Sequence, residues 1–146
     1  MEQTINLKLQ TSSDIVFEVV SDLETYPDWL DIVENVLAES NDAWFVTLTA
    51  KIGPIKRSKK LRMIRTVEDN TVNFIRQETH DREFSIWEMT STVTELSESS
   101  SNLLIELNYS GAYWSSLLDA LFEAKKPGIE KSLKNYLAEI ANESVK

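Results

Sequence analysis

Apolar and polar residues alternate with a period of two from Asp31 to Ser110, and this pattern constrains the fold more than any other feature of the chain. Such alternation is typical of β-strands that bury one face. The links between the alternating runs are short and rich in turn-forming residues, so consecutive strands should pair antiparallel as hairpins. The region therefore predicts a meander of six strands: 32–39, 43–51, 58–68, 71–79, 83–95 and 102–110.

The segments on either side of the meander add one strand and three helices. Residues 3–10 alternate and predict a further strand, whereas residues 15–23 carry the i, i+3, i+4, i+7 spacing of an amphipathic helix. Pro27 suits the first turn of a second, very short helix, where its missing N–H costs nothing. Residues 113–142 return to helical spacing and predict a long C-terminal helix.

The long helix is expected to cover the sheet. An antiparallel sheet with one apolar face needs an element packed on that face, and segment 113–142 is the longest candidate. We therefore predict an α+β fold in which a seven-stranded curved antiparallel sheet surrounds the C-terminal helix, with two short helices between strands 1 and 2. The sheet should leave a hollow beneath the helix. Pro127-Gly128 predicts a kink or break in that helix near residues 125–127, because proline removes a backbone hydrogen bond.

Composition excludes several classes of protein. The 146 residues fit one domain, 1–146, and the absence of cysteine excludes disulfides and thiolate chemistry. No apolar run approaches the roughly 20 residues of a membrane-spanning helix. The start MEQTINLKLQ lacks the pattern of a secretory signal, so a cytoplasmic location is expected. The net charge of -9 disfavours nucleic acid as a partner.

The stretch TSSDIVFEVVSDLETYPDWLDIV resembles the START/Bet v-like (SRPBCC) helix-grip superfamily, in its polyketide-cyclase-like and coenzyme-Q-binding-like branch. Asp22, Tyr26, Pro27 and Trp29 form the pattern D-x-x-x-Y-P-x-W directly after the first helix. The basic hairpin KIGPIKRSKKLRM and the apolar stripe of the last helix add to the resemblance, which covers essentially the whole chain; the Pro127-Gly128 pair departs from it. The resemblance implies a single START-like domain that binds a hydrophobic or amphipathic molecule such as a lipid, quinone or polyketide.

Strand register predicts which side chains would line the hollow. Apolar and aromatic residues that alternate inward, together with the stripe of the last helix, have the usual composition of a small-molecule pocket. An ordinary packed core is the alternative interpretation. The predicted lining residues are Trp44, Val46, Leu48, Met63, Phe74, Trp87, Met89, Ile105, Leu107, Tyr109, Leu118, Phe122, Leu133 and Leu137.

Three charged residues are predicted at the polar end of the hollow. In the predicted strand 58–68, Arg65 lies on the same face as apolar residues. In the predicted strand 71–79, Arg76 and Glu78 lie on the same face as apolar residues. If they point inward they should pair, because a buried charge without a partner is very costly. A spare guanidinium could then bind a carboxylate or phenolate. The alternative is a salt bridge at the strand ends in water.

Catalytic, metal and cofactor motifs are absent from the sequence. One histidine, His80, and scattered carboxylates make no metal-ligand pattern, and there is no glycine-rich phosphate loop. No catalytic residues, metal or cofactor are therefore predicted, and a binding protein is favoured over an enzyme. An enzyme of the polyketide cyclase or dehydratase kind is the alternative, with Glu78, Tyr109 or His80 as its acid or base.

Seven of the 15 basic residues fall within segment 51–65. Lysine on an exposed hairpin discourages edge pairing, so a solvated face explains the segment. The alternative is an interaction protein that makes a weak contact with an anionic membrane or a protein partner. The residues for that contact would be Lys51, Lys56, Arg57, Lys59 and Lys60. The sequence leaves monomer and dimer open.

Overall fold

The predicted meander forms one antiparallel sheet, which is followed by a long helix. The computed structural model describes residues 2–77, 86–110 and 114–145. Its helices are α1 (Ser13–Ser21), a 3₁₀ helix (Leu23–Asp28) and α2 (Trp114–Val145). Its strands are β1 (Glu2–Leu9), β2 (Val33–Ser40), β3 (Ala43–Ile52), β4 (Ile55–Glu68), β5 (Thr71–Arg76), β6 (Trp87–Ser97) and β7 (Ser100–Tyr109).

The seven strands lie in the order β1-β7-β6-β5-β4-β3-β2. Each strand of the meander pairs antiparallel with the next, as hairpins dictate. β1 pairs antiparallel with β7, so the first strand joins the last one in the sheet. The predicted fold class, with two short helices between β1 and β2 and a long C-terminal helix, is confirmed.

Several strand boundaries differ from the predicted ones. β4 begins at Ile55, three residues before the predicted start at 58, because the basic stretch continues the pairing with β3. β6 and β7 approach each other to Ser97 and Ser100, so the long turn predicted there is a tight hairpin with a register shift after Glu95. Residues 78 and 79 of the predicted strand 71–79 and residues 83–85 of the predicted strand 83–95 lie outside the described ranges.

One face of the sheet is buried in β1 and from β3 to β7, whereas the edge strand β2 is mostly exposed. In β1 every second residue is buried, which places Ile5, Leu7 and Leu9 on this inner face. In β6 the predicted register is confirmed: Trp87 and Met89 are buried, while Ile86 is 54% exposed. A strand alternates its side chains between two faces, so these residues define the inner face for their neighbours.

The DLETYPDWLD stretch joins α1 to β2 and packs against the sheet. The Asp22 carboxylate accepts a hydrogen bond of 3.0 Å from the Glu24 N–H and caps the 3₁₀ helix. The Tyr26 hydroxyl donates to the Val20 carbonyl at 2.6 Å, which satisfies an oxygen at the end of α1. The fully buried ring of Tyr26 meets Trp29, 4.5 Å between centroids, and thereby anchors the two short helices.

The sequence predicts a kink or a break at Pro127; the break is wrong, and the kink stays a prediction. α2 continues through Pro127 without interruption. Proline still leaves the helix without one N–H donor, at a usual cost of about 3 kcal/mol. Buried residues on both sides of it, among them Phe122 and Leu133, hold α2 on the core. Tertiary packing therefore outweighs the local preference for a break.

Replacing Gly128 by alanine should stabilise the protein by about 0.5–1 kcal/mol, because glycine is a poor helix former. A methyl group at Gly128 would meet no atom within 4 Å. The matched control is Gly53→Ala in the β3–β4 turn, where φ is +58°. There the same change should cost about 1–2 kcal/mol, since the left-handed region disfavours a side chain. Urea unfolding measures both, and equal signs for the two variants would contradict the account of α2.

Candidate functional site

A pocket of about 110 Å³ lies between α2, the segment that leads into β2, and β3. Its lining is mainly apolar, with charged residues at the rim. The volume is well below the roughly 300–1,000 Å³ of pockets that enclose a drug-sized ligand. In this conformation it would hold only a very small molecule or one end of a longer one. The lining residues of this α2 pocket are Leu30, Asp31, Ile32, Thr49, Lys51, Leu121, Phe122, Lys125 and Ile129.

An ion pair bridges the rim of the α2 pocket. Lys125 Nζ of α2 lies 3.1 Å from Asp31 Oδ2, in the segment before β2. Both side chains are exposed, at 45% and 68%, so water screens the pair and its contribution to stability is about 0–1 kcal/mol. Lys51 also lines the rim and makes no ion pair with any described residue. The rim therefore carries two positive charges and one negative charge.

An aromatic stack runs from the α2 pocket into the interior. The ring of Phe122, which lines the pocket, lies 6.2 Å from the ring of Tyr109. The Tyr109 ring in turn stacks on Trp87 with 6.0 Å between centroids and 27° between planes. The Trp87 indole N–H is buried and has no hydrogen-bond partner among the described residues. An indole nitrogen only donates, and a buried donor without an acceptor costs about 1–3 kcal/mol.

The Tyr109 ring of the stack is held in place by hydrogen bonds that involve its hydroxyl group. The Tyr109 hydroxyl and the Gln3 amide both donate to Asp119 Oδ1 of α2, the amide at 3.1 Å. These two donors hold the pKa of the Asp119 carboxyl below its usual value. Burial, followed by the hydrogen bond to Asp119, raises the pKa of the Tyr109 hydroxyl above its usual value. Tyr109 is therefore kept neutral and is a poor proton donor or base near neutral pH.

Solved structures identify the architecture that holds this site. A START superfamily protein from Mycobacterium smegmatis matches with a TM-score of 0.74 at 16% identity, over 95% of this chain and 98% of its own. The Zhui aromatase/cyclase from a Streptomyces species matches at 0.70 and 13%, over 94% and 93%. The chain has the same helix-grip fold as these two proteins. No protein-family model and no curated protein matches the chain.

A conserved protein from Geobacillus kaustophilus has the same helix-grip architecture, with a TM-score of 0.74 at 11% identity over 95% of this chain and 96% of its own. The resemblance read from the D-x-x-x-Y-P-x-W pattern is thus confirmed at the level of the fold. At sequence identities this low, the structural matches establish the arrangement of strands and helices and nothing more. Ligand and activity have to be argued from the residues themselves.

The apolar residues predicted to line the hollow belong to one buried cluster of the helix grip, with the exception of Leu118, whose side chain lies outside what the structure describes. Phe122 lines the α2 pocket, and Tyr109 and Trp87 follow it in the aromatic stack. The remaining ones pack into the core; they are Trp44, Val46, Leu48, Met63, Phe74, Met89, Ile105, Leu107, Leu133 and Leu137.

The Arg65 side chain is bound at the start of β3. Its guanidinium donates to Asp42 Oδ1 at 2.7 Å and to the Ser21 carbonyl at 2.7 Å, and lies 5.0 Å from the centre of the Trp44 ring. Arg76 is half-buried and pairs across the sheet with Met63 on the inner face. Glu78 and His80 lie outside the described ranges. The described bonds of Arg65 thus join β4 to α1 and to the β2–β3 turn.

The basic hairpin is partly compensated by acids on the edge strand β2. Arg62 Nε lies 2.6 Å from Glu39, and Lys56 lies 3.9 Å from Glu34. Lys60 sits over the ring of Phe45, 5.1 Å from its centre. Helices in the described ranges include none that is long and apolar enough to span a bilayer. Contact with a membrane or protein partner through the hairpin stays a prediction.

Some residues of the site were missing from the sequence prediction. Gln3 lies on the same face of β1 as Ile5, Leu7 and Leu9, so strand alternation predicts its inward position. Its hydrogen-bond partner Asp119 lies 116 residues away in the sequence, and no local pattern predicts that contact. The pocket residues Leu30 and Ile32 follow the Trp29 motif and carry no local signal of a site. Leu121 and Ile129 have the helical spacing of the apolar stripe of the last helix, and that spacing does not distinguish a pocket residue from a core residue.

Replacing Asp119 by asparagine should lower stability at neutral pH, because the charged carboxylate binds the Tyr109 and Gln3 donors best. The pKa of Asp119 is lowered on folding, so its contribution is present above the unfolded pKa of about 3.9. The difference from wild type should shrink as pH falls below that value and vanish once the folded group is protonated. Thermal unfolding from pH 7 to pH 2 measures this.

Glu139→Gln, on the exposed side of α2, is the matched control and should follow wild type at every pH. If Asp119→Asn also follows wild type at pH 7, the carboxylate is not the acceptor that the geometry indicates.

Proposed function

We propose that the protein binds a hydrophobic or amphipathic small molecule, such as a lipid, quinone or polyketide-like compound, between its sheet and α2. The observation that carries the proposal is the apolar α2 pocket, whose lining residue Phe122 packs against Tyr109; the Tyr109 ring in turn stacks on Trp87, which has an unpaired indole donor. A concave apolar site with a few convergent polar groups is the usual form of a ligand site. The START superfamily protein and the aromatase/cyclase of the same fold support the same class of function.

The unpaired Trp87 donor favours a ligand that carries an acceptor oxygen. Within the packed interior the indole N–H loses its hydrogen bond to water and gains none from the described residues. A ligand carbonyl or ether oxygen would restore that bond, whereas a pure hydrocarbon would leave the donor unpaired. The acceptor would stand against the Tyr109 ring, which stacks on the indole.

Entry of a larger ligand requires α2 to move away from the segment before β2. The pocket holds about 110 Å³, and α2 contributes Lys125 and Ile129 to its wall. Pro127 and Gly128 lie between these two residues, so the helix is intrinsically weakest where it covers the pocket. We assign to this turn of α2 the movement that would enlarge the site.

An enzyme of the cyclase type is the second candidate, because two solved structures of the same fold are aromatase/cyclase proteins, one of them a di-domain protein. It requires a positioned acid or base. The raised pKa of Tyr109 argues against that residue, which leaves Glu78 and His80. If wild type turns over substrate and a variant carrying Glu78→Ala and His80→Ala does so equally well, neither residue is the acid or base. If wild type binds a polyketide-like ligand without converting it, the enzyme candidate is removed.

Binding can be tested with indane and 1-indanone, two compact probes that differ by one carbonyl oxygen. Both should bind, and 1-indanone should bind more tightly and shift the Trp87 indole N–H resonance, which Trp87→Phe identifies by its loss. Ile129→Phe should fill the pocket and weaken both probes at least tenfold, or about 1.4 kcal/mol. Two-dimensional ¹H–¹⁵N NMR titration of the full chain measures all three effects.

Ile15→Phe, at a position 38% exposed on α1, is the matched control and should leave probe binding unchanged. Absence of binding by both probes, or equal binding by wild type and Ile129→Phe, would contradict the proposed function. Circular dichroism of each variant separates loss of the site from loss of the fold.

A further inference from the structure

The rim of the α2 pocket is positive, although the chain as a whole carries a net charge of -9. The charged residues that line the pocket are the bases Lys51 and Lys125 and the acid Asp31. Asp31 already pairs with Lys125 at 3.1 Å, whereas Lys51 has no partner among the described residues. Lys51 is therefore the rim lysine that has no ion pair within the described part of the chain.

The hairpin that carries Lys51 adds further positive charge at the same end of the sheet. Arg57 pairs across β3–β4 with Ala50, and Lys59 pairs with Leu48. Residues that pair directly across antiparallel strands lie on the same face, so Arg57 and Lys59 stand on the inner face with the buried Ala50 and Leu48. Lys51 follows Ala50 in β3 and therefore lies on the opposite face of the strand, so Arg57 and Lys59 add positive charge to the hairpin and not to the rim itself.

We infer that the molecule bound in the α2 pocket carries an anionic head group, which lies at the rim between Lys51 and Lys125 while its apolar part enters the pocket. This inference rests on the proposed function and adds the charge of the ligand to it. A carboxylate is the simplest head group of this kind. It satisfies both lysines at once, which Asp31 in its pair with Lys125 does not do.

Asp31 occupies the place of the head group in the free protein. Its pair with Lys125 links α2 to the segment before β2 across the pocket opening. An exposed ion pair contributes little to stability, so a ligand carboxylate can replace Asp31 on Lys125 at small cost. The displaced Asp31 side chain, 68% exposed, remains in water. Binding of the anion thereby removes the link that holds the opening closed.

A cationic head group fits the rim poorly. It would have to compete with Lys125 for the single carboxylate of Asp31 and would then lie beside Lys51. A neutral head group would leave the charges as they are and would gain only from burial of its apolar part. The expected order of affinity is therefore anion, neutral molecule, cation.

The test compares hexanoate, hexanol and hexylammonium, which share one tail, by NMR titration of the full-length chain at low ionic strength. Hexanoate should bind at least fivefold more tightly than hexanol, and hexylammonium should bind most weakly. The double variant Lys51→Gln, Lys125→Gln should lose this preference and bind hexanoate no more tightly than hexanol. Asp31→Asn should bind hexanoate more tightly than wild type, since it removes the competing carboxylate.

Lys131→Gln, an exposed position on α2 that does not line the pocket, is the matched control and should keep the preference for hexanoate. Added salt should reduce the preference, as it screens exposed charges. If hexanol binds as tightly as hexanoate to wild type, or the double variant keeps the preference, the inference is overturned and the proposed function stands. If none of the three probes binds, both are overturned.

Discussion

Covering the inner face of the sheet is the constraint on which the other features of this helix grip depend. All seven strands turn apolar side chains to one side, and that face is too wide for one helix. α2 covers part of it with buried residues such as Phe122, Leu133 and Leu137. α1 and the 3₁₀ helix cover another part, where Tyr26 packs edge-on against Phe74, 6.0 Å between ring centres. The α2 pocket lies where the segment after the 3₁₀ helix meets α2.

This position explains why the pocket is bounded by elements that can separate. Leu30, Asp31 and Ile32 belong to the cover formed by the short helices, while Leu121, Phe122 and Ile129 belong to α2. The described charged contact across the opening is the exposed Asp31–Lys125 pair, which contributes little to stability. Pro127 and Gly128 lie in the turn of α2 that follows Lys125, and both residues lower the helix stability of that turn. The boundary between the two covers therefore combines a weak ion pair with a weak helical turn.

The sequence predicted the architecture well because alternation and helical spacing are local properties. Trp87 and Met89 were placed inward from the period of their own strand, and the burial of both bears this out. The break predicted at Pro127 does not occur, because packing of the residues before and after Pro127 opposes its local effect on the helix. Sequence spacing does not measure that packing. Arg65 shares its face with apolar neighbours, yet its guanidinium turns toward Asp42 and Ser21, whose proximity depends on the registers of three strands and the end of α1.

The polar groups of the site were harder to predict for the same reason. Gln3, Tyr109 and Asp119 come from the two ends of the chain, and they meet only because β1 pairs with β7 beside α2. The Tyr109 hydroxyl donates its hydrogen bond to Asp119. The Trp87 indole N–H is then the donor of the stack that has no acceptor among the described residues. The α2 pocket thus has apolar walls and more positive than negative charge at its rim, and the aromatic stack behind Phe122 ends in a neutral donor. An amphiphile bound there would have one orientation, because exchanging its ends would bury a charge and expose its apolar part.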